Sequence, residues 1–359
     1  MANELKRRKL ILRNFQSPGD LMMLTATVRD LHKNYPGRFM TDVRTSCSAL
    51  WENNPYLTEL DEKDPDVEVI DCEYPLIHKS NTAPYHFIHG FTQFLEEKLD
   101  LRIPMTEFKG DIHLSDDEKK WMGQVEEIGV KDDYWLIAAG CKYDFNAKLW
   151  NFDSYQEVVD HFLGKITFVQ VGEEGHLHCR LNNVIDLVGK TDLRQLIRLV
   201  HHSIGTFSPV TLLMHLCASV PVKEGRPKSR AGLVLSAGRE PQNWENYPHH
   251  RFLSTTGVLS CCDLGGCWKS RVTKIKDNDD KNNEENLCIF PVTIFPKAEY
   301  PEDMIDGDLK IAKCMDMIRP SDVIRNIELY YEGDMLRYQS SLPDFLSAKT
   351  REYVRLHVK

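Results

Sequence analysis

KLILRNFQSPGDLMMLTATVRDLHKNYP, residues 9–36, decides how the rest of the chain is read. KLILRNF is a short apolar run that predicts a β-strand. QSPGD is a turn. The stretch after it carries Leu21, Leu24, Val28 and Leu31 at helical spacing. FMTDVRTSC and VEVIDCEY then read as short strands, so the chain opens β-α-β-α-β. That order implies a parallel sheet with right-handed crossovers. Residues 80–131 read as mostly helical, with FTQFLEEKLDL and SDDEKKWMGQVEEIG as the clearest pieces and a capping box at Ser115 and Glu118.

The pattern repeats from about residue 133. YWLIAAG, ITFVQVGEEG, VIDLVG, SIGTF and AGLVLSAG read as strands. FDSYQEVVDHFLG, DLRQLIRLVHHS and TLLMHLCASV read as helices between them. The expected fold is α/β, with two doubly wound halves facing across a cleft. The expected divisions are 1–130, 131–258, a cysteine-rich segment 259–319 and a tail 320–359. TKIKDNDDKNNEEN (273–286) reads as an exposed, mobile loop. PSDVIRNIELYYEG (320–333) reads as a helix opened by Pro320 and stopped by Gly333.

The chain has 359 residues, enough for two domains of roughly 150–200 residues each. It is 42% hydrophobic and 28% charged, with a net charge of −9. That balance, with no basic stripe, disfavours a nucleic-acid partner. No run of about 18 apolar residues suggests a membrane span. MANELKRRKLILRNF lacks the apolar core and cleavage site of a signal peptide, so the expected compartment is the cytoplasm.

Four places carry chemistry. Asp20 sits where a strand, a glycine turn and a helix start meet, a position for a carboxylate that takes a proton from a hydroxyl. The plainer alternative is a helix cap. Lys148, in a strand-to-helix loop, suits a diphosphate, or is a solvated lysine. Ser208 and Thr211 stand at a helix start that would face a phosphate, with His215 one turn on. His215 alone reads equally as a core histidine. Arg239 follows the strand AGLVLSAG and offers a fork for phosphate, or a surface ion pair.

Five of the ten cysteines, Cys261, Cys262, Cys267, Cys288 and Cys314, fall within 54 residues. Four thiolates in tetrahedral array suit zinc or iron, and one of the adjacent pair Cys261 and Cys262 is surplus. The alternative is ordinary buried thiols. Between 259 and 319 the apolar pattern is weak, so a structural metal is expected to staple the segment.

Taken in order, these pieces resemble family 9 glycosyltransferases, the ADP-heptose heptosyltransferases. The matching residues are Pro18-Gly19-Asp20 with Thr25, Lys148-Leu149-Trp150-Asn151, Gly189-Lys190-Thr191-Asp192-Leu193, and Val210 to Cys217. Val210, Leu212 and Cys217 replace the family's acid, glycine and alanine. The resemblance implies two Rossmann-like domains of GT-B type, Asp20 as base, and donor contacts from Lys148, Thr206, Ser208, Thr211, His215 and Arg239. It implies inverting transfer of a sugar, a heptose, from an ADP-sugar to an acceptor hydroxyl, with no metal at the phosphates. The cysteines resemble those of the autotransporter heptosyltransferase branch, which implies iron, a protein serine acceptor and a homo-oligomer. Another nucleotide-sugar with a glycan or small-molecule acceptor, or an inactive nucleotide-binding scaffold, are the alternatives.

Overall fold

The computed structural model describes residues 7–72, 85–121, 123–130, 133–262, 266–296 and 303–339. Expectations for the N-terminal residues 1–6, for 73–84, for the division at 131–132 and for the tail beyond 339 lie outside the described residues.

Strands β1 (Arg8–Asn14), β2 (Phe39–Thr45) and β3 (Val67–Asp71) form a parallel sheet ordered β2-β1-β3. Leu10, Ile11 and Leu12 are all fully buried. A central parallel strand is covered on both faces and so needs apolar residues in succession, which explains the run KLIL. The helix Pro18–Asn34 follows with Pro18 in its first turn and Asp20 as its early acid. Its apolar residues from Leu21 to Leu31 are buried. Arg29 and Asp30 are buried beside each other, and Arg29 also donates to the carbonyls of Lys109 and Glu107. Those bonds satisfy a pair that would otherwise be costly to bury.

The second sheet contains β4 (Tyr134–Ile137), β6 (Thr167–Gln170), β8 (Ile185–Asp186), β9 (Gly205–Pro209), β10 (Ala231–Ala237) and β11 (His250–Ser254), in the order β11-β10-β9-β4-β6-β8. Counted by sequence, this is the doubly wound order 3-2-1-4-5-6. Its switch point lies between β4 and β9, and the crevice outside their carboxyl ends is the usual ligand site of such sheets. Two short antiparallel pieces, β5 (Gly140–Cys141) and β7 (Leu177–His178), pair beside it. β11 has no counterpart in the sequence reading.

The predicted helix at 115–129 is two short helices, Asp116–Lys120 and Gly123–Glu127. The capping box is present: Ser115 N–H donates to Glu118 Oε2 at 2.8 Å and Glu118 N–H to Ser115 Oγ at 3.2 Å. The helix Pro320–Glu332 matches its expected bounds and buries Val323, Ile327 and Tyr330.

Two corrections concern the segment after 258. It does have apolar packing: Val272, Ile275, Leu309, Ile311, Met315 and Ile318 join the core on the outer face of the second sheet. The strands β12 (Pro291–Phe295) and β13 (Leu309–Ala312) form an antiparallel hairpin there. Nor is 273–286 a free loop. Arg271, fully buried, pairs with Asp144 and Asp277, and Lys281 bridges Asp144 and Asp279. Polar composition suggested mobility, whereas a buried arginine organises these residues around itself.

One apolar core runs through both halves. It includes Leu10, Leu12, Leu24 and Phe91 from the first and Leu136, Val169, Leu213, Trp244 and Tyr247 from the second. Arg194, on the helix Leu193–His202, reinforces the junction. It meets Glu118 with both Nε and Nη2, at 2.8 and 2.7 Å, and donates to the carbonyls of Ala49 and His113.

Candidate active site

At the end of β1, Asn14 Oδ1 accepts from the Gln16 N–H at 2.9 Å and fixes the turn. Asp20 is half-buried in the first turn of its helix, and its Oδ2 accepts from the Ser17 N–H at 3.2 Å. The N-cap is Ser17, and Asp20, at the third helical position, completes its capping box rather than being the N-cap itself. Capping is compatible with a second task, because a carboxylate has about four acceptor sites.

Gly19, beside Asp20, packs against the second half. A Cβ there would stand 3.1 Å from His215 Cδ2. His215 lies in the buried helix Leu212–Ser219. Its Nδ1 is 2.8 Å from Tyr247 Oη, and its Nε2 is 3.5 Å from Glu245 Oε2. The Tyr247 hydroxyl also meets Met23 Sδ at 3.2 Å. Burial, with Glu240 nearby, holds the Glu245 carboxyl above the usual range. His86, whose Nε2 reaches the Asn246 carbonyl at 3.1 Å, is pushed down to about 3 by burial. His215 is therefore both a buried, bonded histidine and the group touching the turn that bears Asp20.

The other candidates gather at the carboxyl ends of β9 and β10. Lys148 Nζ donates to the Val210 carbonyl at 3.0 Å and lies 3.1 Å from Glu240 Oε1. Arg239 pairs with the same Glu240 oxygen, and its Nε donates to the Lys269 carbonyl at 2.7 Å. Both cations stand over the Phe145 ring, at 5.8 and 5.5 Å. Burial works against the charge of Glu240, but Arg239 and Lys148 outweigh it and hold its carboxyl below the usual range. Arg239 is neither solvated nor on the surface, being 7% exposed. The hydroxyl oxygens of Ser208 and Thr211 are buried without a hydrogen-bond partner. Unpaired buried hydroxyls are costly and call for a partner such as a bound anion.

Thr206 stands apart from this group. It lies within β9, level with Leu136 and Gly232 of the flanking strands and beside Cys217. It and Ser208 lie in the same strand, with Thr206 two residues further from the carboxyl end. Glu240, Glu245, Tyr247 and Phe145 were missed. The string REPQNWENY held the signal, two acids and two aromatics straight after a strand.

A wider depression of about 890 Å³ opens in the second half, lined by Glu173, Glu174, His176, Arg180, Gly189 and Lys190 among others. Gly189 and Lys190 open the glycine–threonine–leucine segment singled out in the sequence.

All ten cysteines are free. Cys261, Cys267, Cys288 and Cys314 line one small cavity together with Arg239 and Lys269. Of the adjacent pair, Cys262 points at Gly238 beside Cys314: a Cβ on Gly238 would stand 2.6 Å from Cys262 Sγ and 3.6 Å from Cys314 Sγ. Burial raises the thiols of Cys267, Cys288 and Cys314, the last to about 12, while the amides of Lys269, Phe290 and Gly238 face their sulfurs and favour the thiolate. Thiols with amides aimed at sulfur fit a thiolate-bound ion in kind. The sulfurs stand wider than the roughly 3.8 Å spacing of a bound tetrahedron, since no three of them, among the described residues, lie within 4.8 Å of one another. The carboxylates of Asp144, Asp277 and Asp279 do lie that close, but Arg271 and Lys281 already balance them.

Residues 76–224, less than half of the chain, match the model of glycosyltransferase family 9 (heptosyltransferase). No curated protein sequence matches the chain. The fold is similar to that of a family 9 glycosyl transferase from Veillonella parvula, with 16% identity, 70% of this chain and 87% of that one covered, and a TM-score of 0.55. It is similar to the Escherichia coli ADP-heptose lps heptosyltransferase II, at 12% identity, 91% and 100% coverage and a TM-score of 0.52. It is also similar to the iron-containing dodecameric glycosyltransferase TibC from enterotoxigenic E. coli, at 14% identity, 91% and 77% coverage and a TM-score of 0.56. Among the described residues, no helix is long and apolar enough to cross a membrane. With a family 9 segment at its centre and the fold of these structures around it, the chain is a glycosyltransferase.

Proposed function

We propose that this glycosyltransferase moves a heptose from an ADP-sugar to an acceptor hydroxyl with inversion. The observation that carries the reading is the strand-end cluster: Lys148, Arg239 and the partnerless hydroxyls of Ser208 and Thr211 at the carboxyl ends of β9 and β10. Two cations against the single Glu240 carboxylate leave positive charge for a diphosphate. Such groups act most strongly on the charge that builds as the leaving group departs, and they make a divalent ion at the phosphates unnecessary. The depression bordered by Gly189 and Lys190 has room for the nucleoside end.

Asp20 is the proposed base. Its carboxylate takes the acceptor proton as the hydroxyl attacks the anomeric carbon from the face opposite the diphosphate. His215 holds the Gly19 turn in place and spans from it to Glu245. Cys262, Cys267, Cys288 and Cys314 are the proposed ligands of one structural metal, iron or zinc, which supplies cross-linking and no open position for substrate. We extend the reading to the cytoplasm, a reducing compartment where thiols stay available to a metal.

TibC is described as dodecameric, and in another structure as bound to ADP-D-beta-D-heptose. By that likeness we extend the reading to a homo-oligomer and to a protein acceptor, an autotransporter serine. The test is incubation of the full chain with ADP-heptose and candidate acceptor proteins, followed by mass spectrometry. A heptose-sized mass gain on a serine peptide is expected. Release of ADP without any transfer to protein would move the acceptor to a glycan or small molecule. No ADP release from any ADP-sugar would overturn the donor.

A further inference from the structure

The strand end that presents Arg239 is built by the cysteine cluster. The register of β10 against β11 shifts between Leu235 and Ala237, and Ala237 has a φ of 53°. A residue with a Cβ enters that left-handed region only when its surroundings enforce it. Here the Ala237 carbonyl accepts from the Thr255 N–H at 2.9 Å and the Ser254 hydroxyl at 3.0 Å. Gly238 follows, enclosed by thiols. Its carbonyl accepts from the Cys267 N–H at 3.2 Å and the Cys262 thiol at 3.6 Å, and its amide faces the Cys314 sulfur. A Cβ on Gly238 would lie 2.6 Å from Cys262 Sγ and 3.3 Å from Cys314 Cβ. Only glycine fits between them. Arg239 comes next, bonded through Nε to the Lys269 carbonyl two residues past Cys267.

We propose that the cysteine cluster positions the cationic loop for the donor diphosphate, with Gly238 as the joint. This rests on the donor reading above. The cysteines are positioning residues and none needs to touch the donor. When the sulfurs are held together, Gly238 is fixed and the Arg239 guanidinium stays beside Glu240 and Lys148. When they separate, the restraint on Gly238 is lost and Arg239 moves with it. Nucleotide affinity thereby becomes sensitive to the state of the thiols.

The experiment titrates ADP by calorimetry into the full chain and into the variants Cys314→Ser, Gly238→Ala and Ser115→Ala. The last removes a helix cap in the first half and reports destabilisation alone. Weakening of ADP by about tenfold is expected in the first two and not in the third. Amide exchange at Gly238 and Cys267 is expected to quicken in Cys314→Ser. If Cys314→Ser does not fold, Gly238→Ala, which loses no cysteine, carries the test. ADP affinity within about twofold of the parent in Gly238→Ala, with unchanged exchange, overturns the proposal. If the parent chain binds no ADP, the donor reading fails, and amide exchange alone decides whether the joint exists.

Discussion

The molecule presents two strand ends to its candidate site, and they are held in opposite ways. The end of β1 is held locally: Asn14 bonds Gln16, and Asp20 bonds Ser17. The end of β10 is held from far along the chain, by Thr255, Cys267, Trp268, Lys269 and Cys314. The first turn takes its internal bonds from its own sequence and is braced from outside by Ser46 and His215. The second has a shape only because other segments impose it. A catalytic carboxylate suits the first arrangement, and a loop whose grip on a ligand can vary suits the second.

Asp20→Asn gives the largest expected effect. Asn keeps an acceptor for Ser17 but cannot take the acceptor proton. Turnover with ADP-heptose should fall about 10²–10⁴-fold with ADP affinity unchanged, as single-turnover rates and calorimetry would show. Near-parental turnover would reduce Asp20 to a cap and erase the contrast. Lys148→Ala addresses the second strand end. It removes one donor aimed at the leaving group and leaves Glu240 with Arg239 alone. A loss of about 10²–10³ in kcat is expected, separated from KM by initial-rate kinetics.

The seam between the two ends contains His86, whose ring bonds the Asn246 carbonyl and caps the helix Phe87–Leu99. Its folded value of about 3 lies below the ordinary histidine value of 6.5. Below about pH 6.5 the unfolded chain therefore binds the extra proton. Its contribution is complete above that pH and is lost as pH falls toward 3, at up to about 1.4 kcal/mol per pH unit. Urea unfolding at pH 7, 6 and 5 checks this. His86→Asn, which keeps a capping acceptor, should lessen the dependence, with His178, His202 and His250, also lowered by burial, sustaining the rest. The smallest effect is a control for local holding. Ser115→Ala should cost about 1 kcal/mol by the same unfolding assay, without changing kcat.

The same division between local and distant restraint governs how much could be read beforehand. The parallel strands and their helices were legible because apolar runs, Pro18, Gly333 and the Ser115–Glu118 pair act over a few residues. Lys148, Ser208, Thr211, His215 and Arg239 were legible as candidates at the ends of such elements. Their partners were not, because Glu240 meets Lys148 and Glu245 meets His215 only after the sheet has formed. The polar stretch 273–286 was misread because its organiser, Arg271, looks in sequence like any exposed arginine. β11, β12 and β13 were passed over because they are short and only partly buried.

The apolar core that passes from Leu10 and Leu24 through Leu136 to Leu213 and Tyr247 bears on how the enzyme can be made. Neither half, released alone, could keep that surface from water, so each should clump on expression. During synthesis the first half must wait, incompletely covered, until the ribosome has delivered Tyr247. The two halves are thus folding partners before they are partners in catalysis.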